Sequence, residues 1–219
     1  MGYGIKLLVW GEFACFSRPE MKAERTTYDT MTASAGRGIL SAIYWKPAID
    51  WQVDRIRVLN QIKFTSIRRN EVENKIRISE AISAAKGNEV DLHQYAASER
   101  QQRASLMLRD VAYVIEAHFE MTSMAGEDDT PEKHYNIFLR KARKGACFHT
   151  PCLGLRELPA KFRLLDEDEY FPNSYYHDHD EVDLGYMLHS IDYEHDMTPR
   201  FFRAVMKCGV IEVPEVRAL

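Results

Sequence analysis

The order of apolar and polar positions divides the chain into short elements. Ile5, Leu7 and Val9 alternate with Lys6, Leu8 and Trp10, which predicts a largely buried first strand. A polar loop follows. Ser34 is placed to cap a helix running to about Trp45, and Pro47 forbids its continuation. Residues 49–64 read as a strand with Ile49, Trp51 and Val53 on one face, and residues 65–100 as a polar excursion, a hairpin or lid. The cleanest strand is 111–122: Val111, Tyr113, Ile115, Ala117 and Phe119 take one face, while Glu116, His118 and Glu120 share the other. Thr130 and Pro131 then open a helix that stops at Gly145, with cations in its last turn, where the helix dipole favours them. A short strand at 161–165, an acidic loop and strands at 184–194 and 209–214 complete the pattern.

Up to about residue 152 this order is β-α-β-β-α-β, so the expected class is α+β: a ferredoxin-like domain over 1–152 and a small antiparallel β extension over 153–219. Helices would cover one sheet face and leave the other open, which is the RNA-binding surface of RRM-type domains.

Composition narrows the classes. With 219 residues and 45% hydrophobic content the chain can bury a core. No apolar run is long enough to span a membrane, and the first residues lack the features of a signal peptide or a myristoylation site, so a cytoplasmic protein is expected. Cys15, Cys147, Cys152 and Cys208 include no C-x-x-C pair, and reduced thiols are expected. The net charge of -4 hides segregation. Arg55, Arg57, Lys63, Arg68, Arg69, Lys75 and Arg77 form one basic group, and Arg140, Lys141, Arg143 and Lys144 another; acids gather at 166–169 and 178–183. Such asymmetry can make a polyanion groove on an acidic protein.

The stretch SAIYWKP, residues 41–47, carries the first chemical candidates. At helical spacing Arg37, Ser41 and Tyr44 fall on one stripe opposite Ile39 and Ile43, so Tyr44 is expected to point away from the core, beside a guanidinium. Its alternative role is an amphipathic tyrosine at a core edge. Trp45 is a candidate stacking residue and Lys46 a candidate cation. Phe119 could also stack a base, with packing the blander role. His118 lies on a polar strand face between two glutamates expected to keep it protonated. His177 and His179 alternate with Asp178 and Asp180, but no third ligand stands at motif spacing, so a solvated loop is the plainer reading and no metal or other cofactor is expected. Phosphate-loop, dinucleotide, nucleophile-elbow and H-E-x-x-H motifs do not occur.

Taken together, GEFACFSRPEMKAER, TASAGRGILSAIYWKPAIDWQVDRIRVL, SIRRNEV, ERQQRASLMLRDVAYVIEAHFEMT, KHYNIFLRKARKGACFHTPCLGLRELPA, DLGYMLHSIDY and FFRAVMKCGVIEVP resemble the CRISPR-associated RAMP proteins of the Cas-five family, subtype I-C, the "d" form. The resemblance implies an endoribonuclease that cuts CRISPR repeat RNA without metal. The family member then stays on the 5′ handle, beside the backbone and large subunits of the surveillance complex; duplex DNA is a further candidate partner. It implies that Tyr44 and His118 are catalytic. Where the family carries a lysine close before the histidine, this chain has Ile115, Glu116 and Ala117, so Lys46, Arg37 or the 65–100 segment would supply the cation. Arg37, Trp45, Arg68, Arg69, Lys75 and Arg77 are the expected RNA contacts, and Tyr44 and His118 are expected to converge on one phosphate. The alternative is a non-catalytic subunit that binds the 5′ handle and assembles the complex.

Overall fold

The computed structural model describes residues 4–215 except 22, 167, 180, 194 and 195. Its element order is β1 (Ile5–Ala14), α1 (Ala33–Ile43), β2 (Ile49–Val58), β3 (Phe64–Val72), α2 (Ile78–Ala85), β4 (Arg100–Met121), α3 (Pro131–Arg143), β5 (Lys161–Leu164), β6 (Glu181–Asp192), β7 (Thr198–Lys207) and β8 (Val210–Glu212). All eight strands join one sheet in the order β5-β1-β4-β2-β8-β7-β6, with β3 paired to β4 off that path, and every strand pairing is antiparallel.

β4 organises the fold. Its second half lies between β1 and β2, with Ile5 opposite Ala117 and Trp51 opposite Phe119; its first half pairs with β3 as a long hairpin arm. The polar excursion therefore contains β3, α2 and the irregular stretches around α2, and it ends where β4 begins. The alternation anticipated for 111–119 is present: Val111, Tyr113, Ile115, Ala117 and Phe119 are all buried. That face meets α1 and α3, and its core continues into Met187, Phe202, Met206 and Ile211 of the C-terminal strands. α1 touches both β2 and β6, so the sheet curls around it.

The opposite face is not uniformly open, in contrast to the expectation. Val114 is fully buried there under Leu59, Leu165 and Phe171, where the segment after β5 folds over the sheet. Arg57 lies against the Phe171 ring, 4.0 Å from its centroid, and so helps hold this cover.

α1 departs from the sequence-based expectation at both ends. Thr32, not Ser34, is the N-cap, its hydroxyl accepting from the Ala35 amide. The helix stops at Ile43, and Tyr44 is already extended, with φ −152°. Close approach to the sheet belongs to Gly36, where a Cβ would lie 3.3 Å from Val53, and not to Gly38, where no heavy atom lies within 4 Å. α3 follows its prediction: Thr130 accepts from the Lys133 amide, Pro131 opens the helix, and Gly145 follows it at φ +63°. β7 has no counterpart among the expected elements, although Phe202, Ala204 and Met206 alternate inward.

Candidate active site

The second half of β4 places His118 on the face away from the helices, directly opposite Gln52. Between Val53 and Arg55 the register of β2 slips, because Asp54 is the extra residue of a β-bulge. The bulge brings the Asp54 carboxylate onto the imidazole: His118 Nδ1–H donates to Oδ1 at 2.8 Å and to Oδ2 at 3.0 Å. This fixes the ring and its tautomer and leaves Nε2 for a substrate. The glutamates expected to serve His118 do not do so. Glu116 is held by Arg57 and Arg55, and Glu120 only lines the same cleft.

A cation stands on the other side of Gln52. Arg37 Nη2 donates to Gln52 Oε1 at 3.2 Å, and Gln52 Nε2 donates to Asp50 at 2.7 Å. Gln52, which faces His118, thus holds a guanidinium of α1 on one side and the Asp50 carboxylate on the other. The cleft holds about 230 Å³ and is lined by Gln52, Val53, Asp54, His118, Glu120, His189 and residues 213–215. That is below the roughly 300–1,000 Å³ of small-molecule pockets and suits a phosphate and sugar more than a base.

No sequence pattern singles out His189. Its Nε2–H donates to the Pro214 carbonyl at 3.0 Å, which pins the last described residues against the cleft. Burial pushes its pKa down from 6.5, the Pro214 carbonyl opposes this, and Arg37 and Arg200 reinforce it.

Tyr44 lies elsewhere. It is 5% exposed, and its ring belongs to the core on the helix-covered face. Its hydroxyl donates to His134 Nδ1 at 2.7 Å, and His134 Nε2 stands 3.2 Å from Asp129. The Tyr44 carbonyl accepts from Trp51 Nε1 at 2.9 Å. The outward-pointing tyrosine predicted from helical spacing is therefore corrected: the helix ends at Ile43, before Tyr44, and the extended backbone swings the ring inward. Burial first, and then Asp129, push the Tyr44 pKa up, so Arg37 and Lys46 do not make it a base. Phe119 contacts the rings of Trp51 and His134 on this side, while its neighbour His118 faces the other. The sheet thus stands between Tyr44 and His118, and the expected convergence on one phosphate is not what the fold provides.

His134 is 1% exposed, and burial pushes its pKa down from 6.5, with Lys133 and Lys46 adding to the shift and Asp129 opposing it. Both buried histidines bind a proton more weakly folded than unfolded. As pH falls below about 6.5 the unfolded chain takes up protons that the fold refuses, and stability declines. Well above that value both states are neutral and the contribution vanishes. A His189→Gln protein should show a shallower loss of melting temperature than the parent between about pH 6.5 and 5. Parallel slopes would show that His189 carries no part of the dependence.

The basic arm is mixed. Arg69 bonds to Glu157 and Glu71, and Arg77 stands 3.4 Å from Glu80. Arg68, on the exposed edge of β3, and Lys75 form no ion pair among the described residues. In the acidic loop His177 pairs with Asp178 and the His179 ring lies against Tyr175 and Tyr176, whereas Asp180 and Glu167 lie outside the described residues. Among the described residues no helix is long and apolar enough to cross a membrane.

Comparison with known proteins places this geometry. The family model described as "CRISPR-associated protein (Cas_Cas5)" matches residues 4–214. The chain belongs to the Cas5d family. It is 54% identical to a protein of Mannheimia succiniciproducens named CRISPR pre-crRNA endoribonuclease Cas5d, over 98% of this chain and 96% of that one. A protein of Thermus thermophilus with the same name is 38% identical over 96% and 91%. A solved structure of a CRISPR-associated protein superposes with a TM-score of 0.71 at 27% identity, covering 97% of this chain and 92% of the other.

Proposed function

We propose that this chain is a pre-crRNA endoribonuclease that cuts CRISPR repeat RNA by attack of the RNA's own 2′-OH, without metal, and stays on the 5′ handle as a subunit of a type I-C surveillance complex. The observation that carries this reading is His118 braced by Asp54 in a cleft lined also by Gln52, whose side-chain oxygen accepts from Arg37. Family membership supplies the substrate class. The antiparallel order β5-β1-β4-β2 supports a ferredoxin-like reading of the first unit, provided that unit runs past residue 152 to take in β5, with β6–β8 as an extension on the β2 edge.

In the reaction the 2′-oxygen bonds to phosphorus as the bond to the 5′-oxygen breaks, giving a 2′,3′-cyclic phosphate and a 5′-OH. The 2′-OH loses a proton and the leaving oxygen gains one. His118 Nε2 performs proton transfer at one of these oxygens, since Nδ1 is committed to Asp54. Arg37, oriented through Gln52, is the cation that stabilises the phosphorane, in place of the lysine missing before His118. Lys46 sits in the turn after α1, on the Tyr44 side, and is assigned to RNA contact. Tyr44 positions that turn and does not touch the reacting phosphate.

Incubating the protein with repeat RNA and EDTA and mapping the ends tests this directly: a single cut with a cyclic phosphate is expected, and loss of cleavage with EDTA would overturn the metal-free route. The second reading, a non-catalytic 5′-handle subunit, draws on Ala117 and its neighbours standing where the family lysine is expected. It requires tight binding with no cut.

RNA binding along the arm should depend on Arg68, Lys75 and Arg77. Replacing these three by alanine should flatten the salt dependence of binding by roughly 0.7 to 0.9 in log–log slope for each phosphate left unneutralised. An unchanged slope would assign the three side chains to water.

A further inference from the structure

Beyond the cleft, the loop after α3 and the turn after α1 form a surface that the cleavage chemistry does not use. The amides of Phe148 and His149 both donate to the Ala42 carbonyl, at 2.8 and 3.1 Å, so this loop is stitched to the end of α1. Trp45 follows three residues later and is 59% exposed; Phe148 is 75% exposed. The Phe148 and His149 rings meet edge to face with centroids 4.4 Å apart. Neither Trp45 nor Phe148 belongs to the buried core. Two large exposed aromatic residues, one three residues after Ala42 and the other bonded to it through the backbone, call for an occupant.

The charge around them selects it. Lys46 adjoins Trp45, and Lys144 closes α3 just before Phe148. Lys141 donates to the Ile43 carbonyl at 3.3 Å, between the two. Neither Lys46 nor Lys144 has an acid within ion-pair distance among the described residues. Aromatic faces interleaved with unpaired cations are the chemistry of single-stranded nucleic acid: bases stack, and phosphates meet the lysines. An apolar protein partner would be poorly served by these neighbouring cations.

We infer that Trp45, Phe148 and His149 form a stacking platform for single-stranded RNA, with Lys46, Lys141 and Lys144 along its backbone. The inference rests on the endoribonuclease reading and adds to it the path of a single-stranded segment flanking the cut. The platform accepts any base, because every base has a π-face, and so it contributes grip and not sequence choice.

The probe is a short oligouridine with no repeat hairpin, titrated into the intact protein while tryptophan emission is followed. Trp51 is 1% exposed and Trp10 half-buried, so the difference between the parent and Trp45→Leu isolates the part of the signal that Trp45 reports. Quenching is expected. Most of it should be lost in Trp45→Leu, and Phe148→Leu should weaken oligouridine binding by roughly 5- to 150-fold, the range for loss of one base–aromatic stack. Both side chains are exposed, so the variants should melt like the parent. Absence of quenching, or unchanged oligouridine affinity in Trp45→Leu and Phe148→Leu together, would overturn the platform and leave the surface to a protein contact. The outcome is independent of cleavage: an uncut repeat RNA with intact quenching would sink the enzyme reading alone, and normal cutting with no quenching would sink the platform alone.

Discussion

Replacing His118 by alanine should slow cleavage of repeat RNA by about 10²–10⁴-fold, the usual cost of removing a positioned acid or base, with RNA affinity nearly unchanged. The ring lines the cleft but supports little else, since its polar partner among the described residues is Asp54. Asp54→Asn should cost less, because it disturbs ring orientation and tautomer without removing the proton carrier. Deoxyribose at the 2′ position of the scissile nucleotide should stop cleavage in the parent protein, because the nucleophile is gone. Single-turnover rates with saturating RNA separate these cases from binding defects. Full activity in His118→Ala would dismiss the cleft as the reaction site. Cleavage that survives 2′-deoxy substitution would dismiss the chemistry.

The largest effect on stability is expected at Trp51. Its ring packs 4.7 Å from Phe138 of α3 and 5.4 Å from Phe119 of β4, measured between centroids, and its Nε1–H holds the Tyr44 carbonyl at 2.9 Å. One side chain therefore joins the sheet, α3 and the turn that ends α1. Trp51→Ala should cost about 3–5 kcal/mol. Trp51→Phe, which keeps most of the packing and drops the hydrogen bond, should cost about 1 kcal/mol from the bond plus a smaller packing loss. Denaturant unfolding of the two variants measures the difference. If the phenylalanine protein loses as much as the alanine one, the hydrogen bond to the Tyr44 turn outweighs the packing.

Features that depend on neighbours along the chain are legible in the sequence. The two faces of residues 111–119, the Thr130–Pro131 start of α3 and its basic end are local patterns, and the fold contains them. Tyr44 defeats the same reasoning because helical spacing does not extend past the last helical residue; once Tyr44 leaves α1, the stripe it would share with Arg37 and Ser41 no longer exists. Asp54 carries no local signal because its role depends on a bulge, visible only in the register against β4. His134 meets Tyr44 across a separation of 90 residues, and no spacing rule links them. The acids beside His118 in sequence suggest its environment, yet Glu116 is spent on Arg55 and Arg57. Gly36 and Gly38 differ by two positions in a helix and so by a little over half a turn, which puts them on opposite sides, and only the sheet decides which is crowded.

The pairing of β1 with β4, Ile5 against Ala117, and of β2 with β8, Arg55 against Glu212, sets an order of events during synthesis. The apolar first strand has no partner in the sheet until β4 leaves the ribosome, and the outer edge of β2 is closed only when β8 emerges. Little of the sheet can therefore assemble early, and the nascent chain carries open strand edges for most of its translation. Such a protein should fold slowly after release and expose sites for chaperones or for edge-to-edge association until its final strands arrive.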